Sequence, residues 1–205
     1  MKSVSNVETN KKQGALWLCF CLLFGLALGI ISKFLDTISS NGSAIAAIAH
    51  FFADLFTRLG VWVFLATVLA AYSRTWYLAA AGVFLFFAGM LVSYYLYSMW
   101  LFGFFPTKYF LIWSVPALAS PALAVIAFWG RHHETCSLLL PSLPMGLMLY
   151  LSVSVGLYYV DIRHVEELLL LVAMGWIYYK KPKQMLAVTG GAILIFLLLT
   201  ITRMI

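Results

Sequence analysis

Trp76-Tyr-Leu-Ala-Ala-Ala-Gly-Val-Phe-Leu-Phe-Phe-Ala-Gly-Met-Leu-Val-Ser-Tyr-Tyr-Leu-Tyr97 is an apolar run with no charge in it. It is followed by an aromatic stretch, Met99-Trp-Leu-Phe-Gly-Phe-Phe-Pro-Thr-Lys108, and by a second apolar run from Tyr109 that carries Trp113, Pro116 and Pro121. About 18 or more consecutive apolar residues are enough for a helix to cross the hydrocarbon core of a bilayer. The stretch therefore reads as two spans joined by a short loop. The two prolines each remove a ladder donor and predict kinks in the second span.

Outward from this pair the composition is uniform. Of the 205 residues, 64% are hydrophobic and only 10% are charged, against roughly 25% charged in a soluble domain. Such a chain cannot cover itself with polar groups in water. In lipid the backbone must satisfy its own hydrogen bonds, which leaves helices or a closed barrel. A barrel alternates over segments of about ten residues, and these runs are continuous. The expected fold is an all-α, polytopic transmembrane helical bundle of about seven spans with one outer amphipathic helix. Residues 1–13 form a polar cytoplasmic tail and residues 14–205 a single transmembrane domain. The run after Lys11 and Lys12 is too long for a signal peptide and reads as an uncleaved first span.

The spans fall near Gly14–Phe34, Leu59–Ser73, Tyr77–Tyr97, Tyr109–Trp129, Cys136–Tyr158, the run ending at Trp176-Ile-Tyr-Tyr179, and Met185–Ile201. Between the first two, Ile45, Ile48, Phe52, Leu55 and Leu59 share one helical face, and His50, Asp54 and Arg58 recur at i, i+4 and i+8 on the other. That segment reads as an interfacial helix, with His50, Asp54 and Arg58 as candidate lid residues. A cytoplasmic N-terminus places Lys2, Lys11, Lys12, Arg74, Arg131, Lys180, Lys181 and Lys183 inside, eight of the thirteen basic residues. Five of the seven acids then lie outside, and the positive-inside rule favours this arrangement, with the C-terminus outside. The net charge of +6 is thereby accounted for by orientation, and nucleic acid is not an expected partner.

Gly25 and Gly29 form a small-xxx-small stripe that lets a second helix approach closely. Cys19 and Cys21 lie two apart on a helix, point to different faces and do not bridge. Together with Cys136 they read as buried thiols. No H-E-x-x-H or G-x-S-x-G motif is present, nor C-x-x-C or a P-loop. The Glu166-Glu167 pair lacks the Arg that prenyl-protease-like families carry beyond it; Leu171 stands there. His132, His133 and Glu134 lack a third ligand for a metal. No catalytic residue, cofactor or metal site is expected.

At the outer level, aromatic residues cluster. Part of this is the belt that Tyr and Trp form at the headgroups. Tyr94 and Tyr95 differ by 100° around their helix, so at least one faces the bundle. Asp161, His164, Glu166 and Glu167 lie in the polar loop before span six. A carboxylate inside a span is costly and calls for a partner or a cavity. The ligand-binding candidates are Tyr94, Tyr95, Trp100, Trp113, Tyr158, Asp161, His164, Glu166 and Glu167. They would form an outward-facing aromatic and acidic vestibule.

The Gly25/Gly29 span, Leu59-Gly-Val-Trp62, the Tyr94-Tyr95 pair, and Trp113 followed by Pro116 and Pro121 together resemble a family of small bacterial polytopic membrane proteins known as a domain of unknown function. The likeness covers most of Gly14 to Tyr179. It implies a bacterial inner-membrane location and adds no catalytic residue. Size and the outer amphipathic segment are also similar to the substrate-capturing subunits of vitamin uptake systems. Those have six spans with both termini inside, from which this chain departs.

Three functions follow as expectations. The first is a small-molecule binding or transport module in the lipid bilayer. The second is a non-catalytic accessory subunit of a larger membrane complex or transporter. The third is an enzyme acting on lipid at the outer leaflet, which would rest on Glu166, Glu167 and His164.

Overall fold

In a computed structural model, residues 2–38, 44–155 and 159–204 are described. They form α1 (Lys2–Leu35), α2 (Ala44–Thr57), α3 (Leu59–Ala71), α4 (Trp76–Phe102), α5 (Thr107–His132), α6 (Ser142–Ser152), α7 (Val165–Tyr178) and α8 (Pro182–Met204). A 3-10 turn, Cys136–Leu138, precedes α6. One antiparallel hairpin, β1 (Val153–Val155) with β2 (Val160–Ile162), interrupts the helices. The chain is all-α in class, and the residues read as a tail continue α1 as helix from Lys2.

Among the described residues, four segments are long and apolar enough to cross a membrane: Lys11–Leu35, Trp76–Phe102, Thr107–His132 and Pro182–Thr202, of 25, 27, 26 and 21 residues. α2 and α3 make a fifth if the pair broken at Arg58 is taken as one span. Among the described residues, seven full spans are not reached. α3, α6 and α7 have 13, 11 and 14 residues. At 1.5 Å per residue, 14 residues reach about 21 Å, short of the ~30 Å hydrocarbon core. The expected span from Cys136 to Tyr158 fails for a local reason. Pro141 and Pro144 confine the helix start to Ser142, because proline is tolerated only in a first turn. Beyond Ser152 the β-branched Val153, Val155, Val160 and Ile162 favour extended backbone, and the registers Val153 with Ile162 and Val155 with Val160 close the hairpin. α5 runs as one helix through Pro116 and Pro121.

The chain divides into two compact units, Met1–Asp54 with Ser73–Leu123 and Leu55–Tyr72 with Ala124–Ile205. In the first, α1 packs along α4. Gly25 meets the Phe86 backbone, Gly29 meets Met90 and Ser93, and Gly89 meets the Leu22 carbonyl. Gly82 faces Cys21 and Trp17. These contacts advance together along both helices, so α1 and α4 run parallel, with Gln13 and Arg74 hydrogen-bonded at their starts. α4 ends on Gly103, whose φ of 73° is the left-handed value that suits glycine. In α2 the small residues Ala46, Ala49 and Ala53 are buried, while Ile48, Phe51 and Phe52 are exposed. Large apolar side chains turned outward over a buried alanine face suit a lipid solvent.

In the second unit, Met145, Met148, Met174, Tyr178, Val188 and Ala192 form the core, flanked by Val63 and Phe64. Gly146 meets Ile195 and Gly191 meets Ser142, so α6 and α8 run parallel. Gly60 of α3 meets Glu167 of α7 start to start. The far end of α7 is held by polar clamps. Gln184 Nε2 donates to the carbonyls of Ser137 at 2.9 Å and Tyr178 at 3.2 Å. Arg131 donates to the Ile177 carbonyl at 2.7 Å and stacks over Tyr72.

Candidate functional site

The sequence of α7 opens His164-Val-Glu-Glu167. His164 stands at the N-cap with an extended backbone, φ −144° and ψ 111°, so the helix begins at Val165 and both glutamates fall in its first turn. Negative charge is favoured there by the helix dipole. The start of α3 is set likewise by Arg58, extended at φ −89° and ψ 146°, which leaves the first amides of α3 without helical partners.

These two helix starts meet at Glu167. Its side chain is only 2% exposed. The Gly60 amide donates to its carboxylate, and a Cβ at position 60 would stand 2.8 Å from Oε1 and 3.0 Å from Cδ. Glycine at 60 is therefore what allows the carboxylate to sit on the start of α3. Oε2 is withdrawn from solvent and has no hydrogen-bond partner among the described residues. Glu166, one residue earlier, turns outward and pairs with Arg58, Nη1 to Oε2 at 3.1 Å. Its own backbone amide, and then Arg58, hold Glu166 below the ordinary carboxylate range. Loss of hydration pushes Glu167 above it, opposed by the positive fields of His164 and Arg58. Two adjacent carboxylates are thus driven apart, one solvated and paired, the other sealed and half-satisfied.

The remaining candidates fall in both units. Arg58, Asp161, His164, Glu166 and Glu167 belong to the second, with Asp161 exposed on β2 opposite Ser154. Tyr94, Tyr95, Trp100, Trp113, His50 and Asp54 belong to the first. There Tyr94 donates to Asp36 Oδ2 at 2.6 Å. Tyr95 is buried, with its ring edge-on to Phe110 at 5.3 Å. Trp100 is exposed and stacked on Tyr97, and Trp113 is half-buried. His50 is half-buried and Asp54 exposed. Tyr158 lies outside the described residues.

Sequence reasoning missed two features. Gly60 appeared only within a short motif, and its partner lies on a different helix. Lys33 and Asp36 close the end of α1, with Lys33 Nζ 3.9 Å from Asp36 Oδ2 and 5.0 and 4.9 Å from the ring centres of Tyr94 and Phe102. The i, i+3 spacing of Lys33 and Asp36 was the available signal. Among the described residues, no group of three or more His, Cys, Asp or Glu could hold a metal.

No family model, curated protein or solved structure matches the chain.

Proposed function

We propose that this chain is an integral membrane protein acting as a small-molecule binding or transport module, with its site at the meeting of the α3 and α7 starts. The observation that carries this reading is Glu167, a carboxylate 2% exposed with one oxygen unpartnered. An orphaned buried acceptor is a standing cost of about 1–3 kcal/mol. Ionisable groups retained in membrane helices mark ligand and ion pathways.

The long apolar helices support the membrane setting, as do large side chains such as Leu118 and Leu186, 70% and 75% exposed. The parallel course of α1 and α4 requires the chain between them to return. The basic turns at Arg74, Arg131 and Lys180–Lys183 mark the cytoplasmic side and place the N-terminus with them. On its motifs, we assign the chain to the bacterial inner membrane and to the family it resembles.

The test is a thermal-shift screen of the purified protein against a metabolite library, repeated on Glu167→Gln. The expected result is a ligand that raises the melting temperature of the native protein and not of the variant. A broad screen without any stabilising compound, or one whose hits act equally on Glu167→Gln, would remove this reading.

A further inference from the structure

The sealed oxygen of Glu167 limits what can occupy it. The carboxylate is wedged between the starts of two helices, with Gly60 against Oε1 at a distance that excludes even a methyl group. Oε2 has no donor within reach among the described residues and no contact with solvent. A hydrated cation needs several oxygen ligands and retained waters, and an ammonium group brings three donors that must all be placed. Neither fits an oxygen closed off in this way. A proton needs no further space.

We infer that Glu167 is a proton-binding site, taking a proton from water on Oε2 to form the neutral acid and returning it to water when the site opens. The inference rests on the ligand-site reading above: a ligand that reaches Glu167 meets a carboxyl group and must displace its proton or accept a hydrogen bond from it. The step is a simple protonation. One O–H bond forms, the carboxylate charge is neutralised, and no electron is transferred.

The surroundings determine how the equilibrium responds. From the junction before α3, Arg58 favours the anion, and so does His164 at the N-cap of α7; Glu166 beside it favours the acid. The Gly60 amide of α3 also favours the anion. α3 has no titratable side chain, and α6, which packs on both helices, carries only Tyr150. Arg58 and Glu166 are paired at 3.1 Å, so their effects on Glu167 are opposite in sign and separable by substitution.

The experiment is an infrared pH titration of the ligand-free, full-length protein in liposomes, following the carbonyl stretch of protonated carboxyl groups. The native protein should show a protonated carboxyl whose midpoint lies above the ~4.3 of a solvated Glu, and Glu167→Gln should abolish it. Arg58→Gln should move the midpoint up and Glu166→Gln should move it down. Both of these keep Glu167 in place, so the test does not depend on folding of Glu167→Gln. A midpoint at or below ~4.3, a band that survives Glu167→Gln, or charge variants that fail to shift it in opposite directions would overturn the proton site. No ligand is present in the titration. Its failure leaves the small-molecule reading to the thermal-shift screen, and a failed screen leaves the titration intact.

Discussion

The Phe86 carbonyl oxygen occupies the space that a Cβ on Gly25 would need. The contact is backbone against backbone, so no side chain can move aside to relieve it. One turn along, Gly29 stands in the same relation to the Met90 carbonyl and the Ser93 hydroxyl. The close approach of α1 and α4 is therefore set by missing side chains, the device by which membrane helix pairs pack.

Gly25→Ala should separate α1 from α4 and cost at least the ~1–3 kcal/mol typical of overpacking. Gly190→Ala in α8 is the control, since nothing lies within 4 Å of the added carbon. That change should be neutral or stabilising by up to ~1 kcal/mol through helix propensity. Unfolding in graded denaturing detergent compares the two. Equal effects would show that the α1–α4 spacing is not what Gly25 controls.

Lys33 is 9% exposed, held between the rings of Tyr94 and Phe102 and beside Asp36. Removing the carboxylate strands a buried ammonium, which costs more than losing one hydrogen bond to the carboxylate. Asp36→Ala should therefore destabilise the first unit by about 3–5 kcal/mol, and Tyr94→Phe by about 1.5–3 kcal/mol. The same unfolding assay ranks them. The reverse order would mean that Asp36 serves chiefly as the tyrosine's acceptor.

The Arg58–Glu166 pair has a defined pH signature. Glu166 is held below the ordinary carboxylate range in the folded chain, first by its own amide and then by Arg58. A group whose carboxyl is depressed on folding adds stability above its unfolded pKa and loses it as the pH falls through the folded value. Native protein should thus lose more stability than Glu166→Gln on acidification below about 4.3. The margin should be small, of the ~0.2–1 kcal/mol order of partly exposed pairs, and high salt should reduce it. Melting temperatures of both proteins from neutral to acid pH decide the matter, and parallel curves would show that the pair adds nothing.

What could be read from the sequence follows the range of the interactions. The α1 glycines were legible because a four-residue spacing on one helix shows itself within a few residues. Glu167 stood out as a carboxylate opening an apolar run. Its seat on Gly60 did not, because the two lie on helices more than a hundred residues apart in sequence and only packing brings them together. The span expected from Cys136 to Tyr158 misled because its apolar content fits a helix and a strand equally well. Length was judged by hydropathy, while Pro141, Pro144 and the valines after Ser152 determined where helix could exist. α2 showed the opposite error of emphasis. Its large apolar residues drew attention, yet the buried face is Ala46, Ala49 and Ala53, an arrangement that suits a lipid solvent.

The seat of Glu167 on Gly60 can be tested by a pair of substitutions. A Cβ at position 60 would lie 2.8 Å from Oε1, so Gly60→Ala alone must push the carboxylate off the start of α3 and should cost about 1–3 kcal/mol. Glu167→Ala removes the atoms in the way. In that background, adding Gly60→Ala should cost close to nothing, and it gains helix propensity at the second residue of α3. The two changes should therefore couple by about 1–3 kcal/mol, within the range for residues in direct contact. The coupling is read from four melting or unfolding curves: native, each single variant and the double. Strict additivity would show that Gly60 and Glu167 do not touch in the folded protein, and the site built on their contact would fall with it.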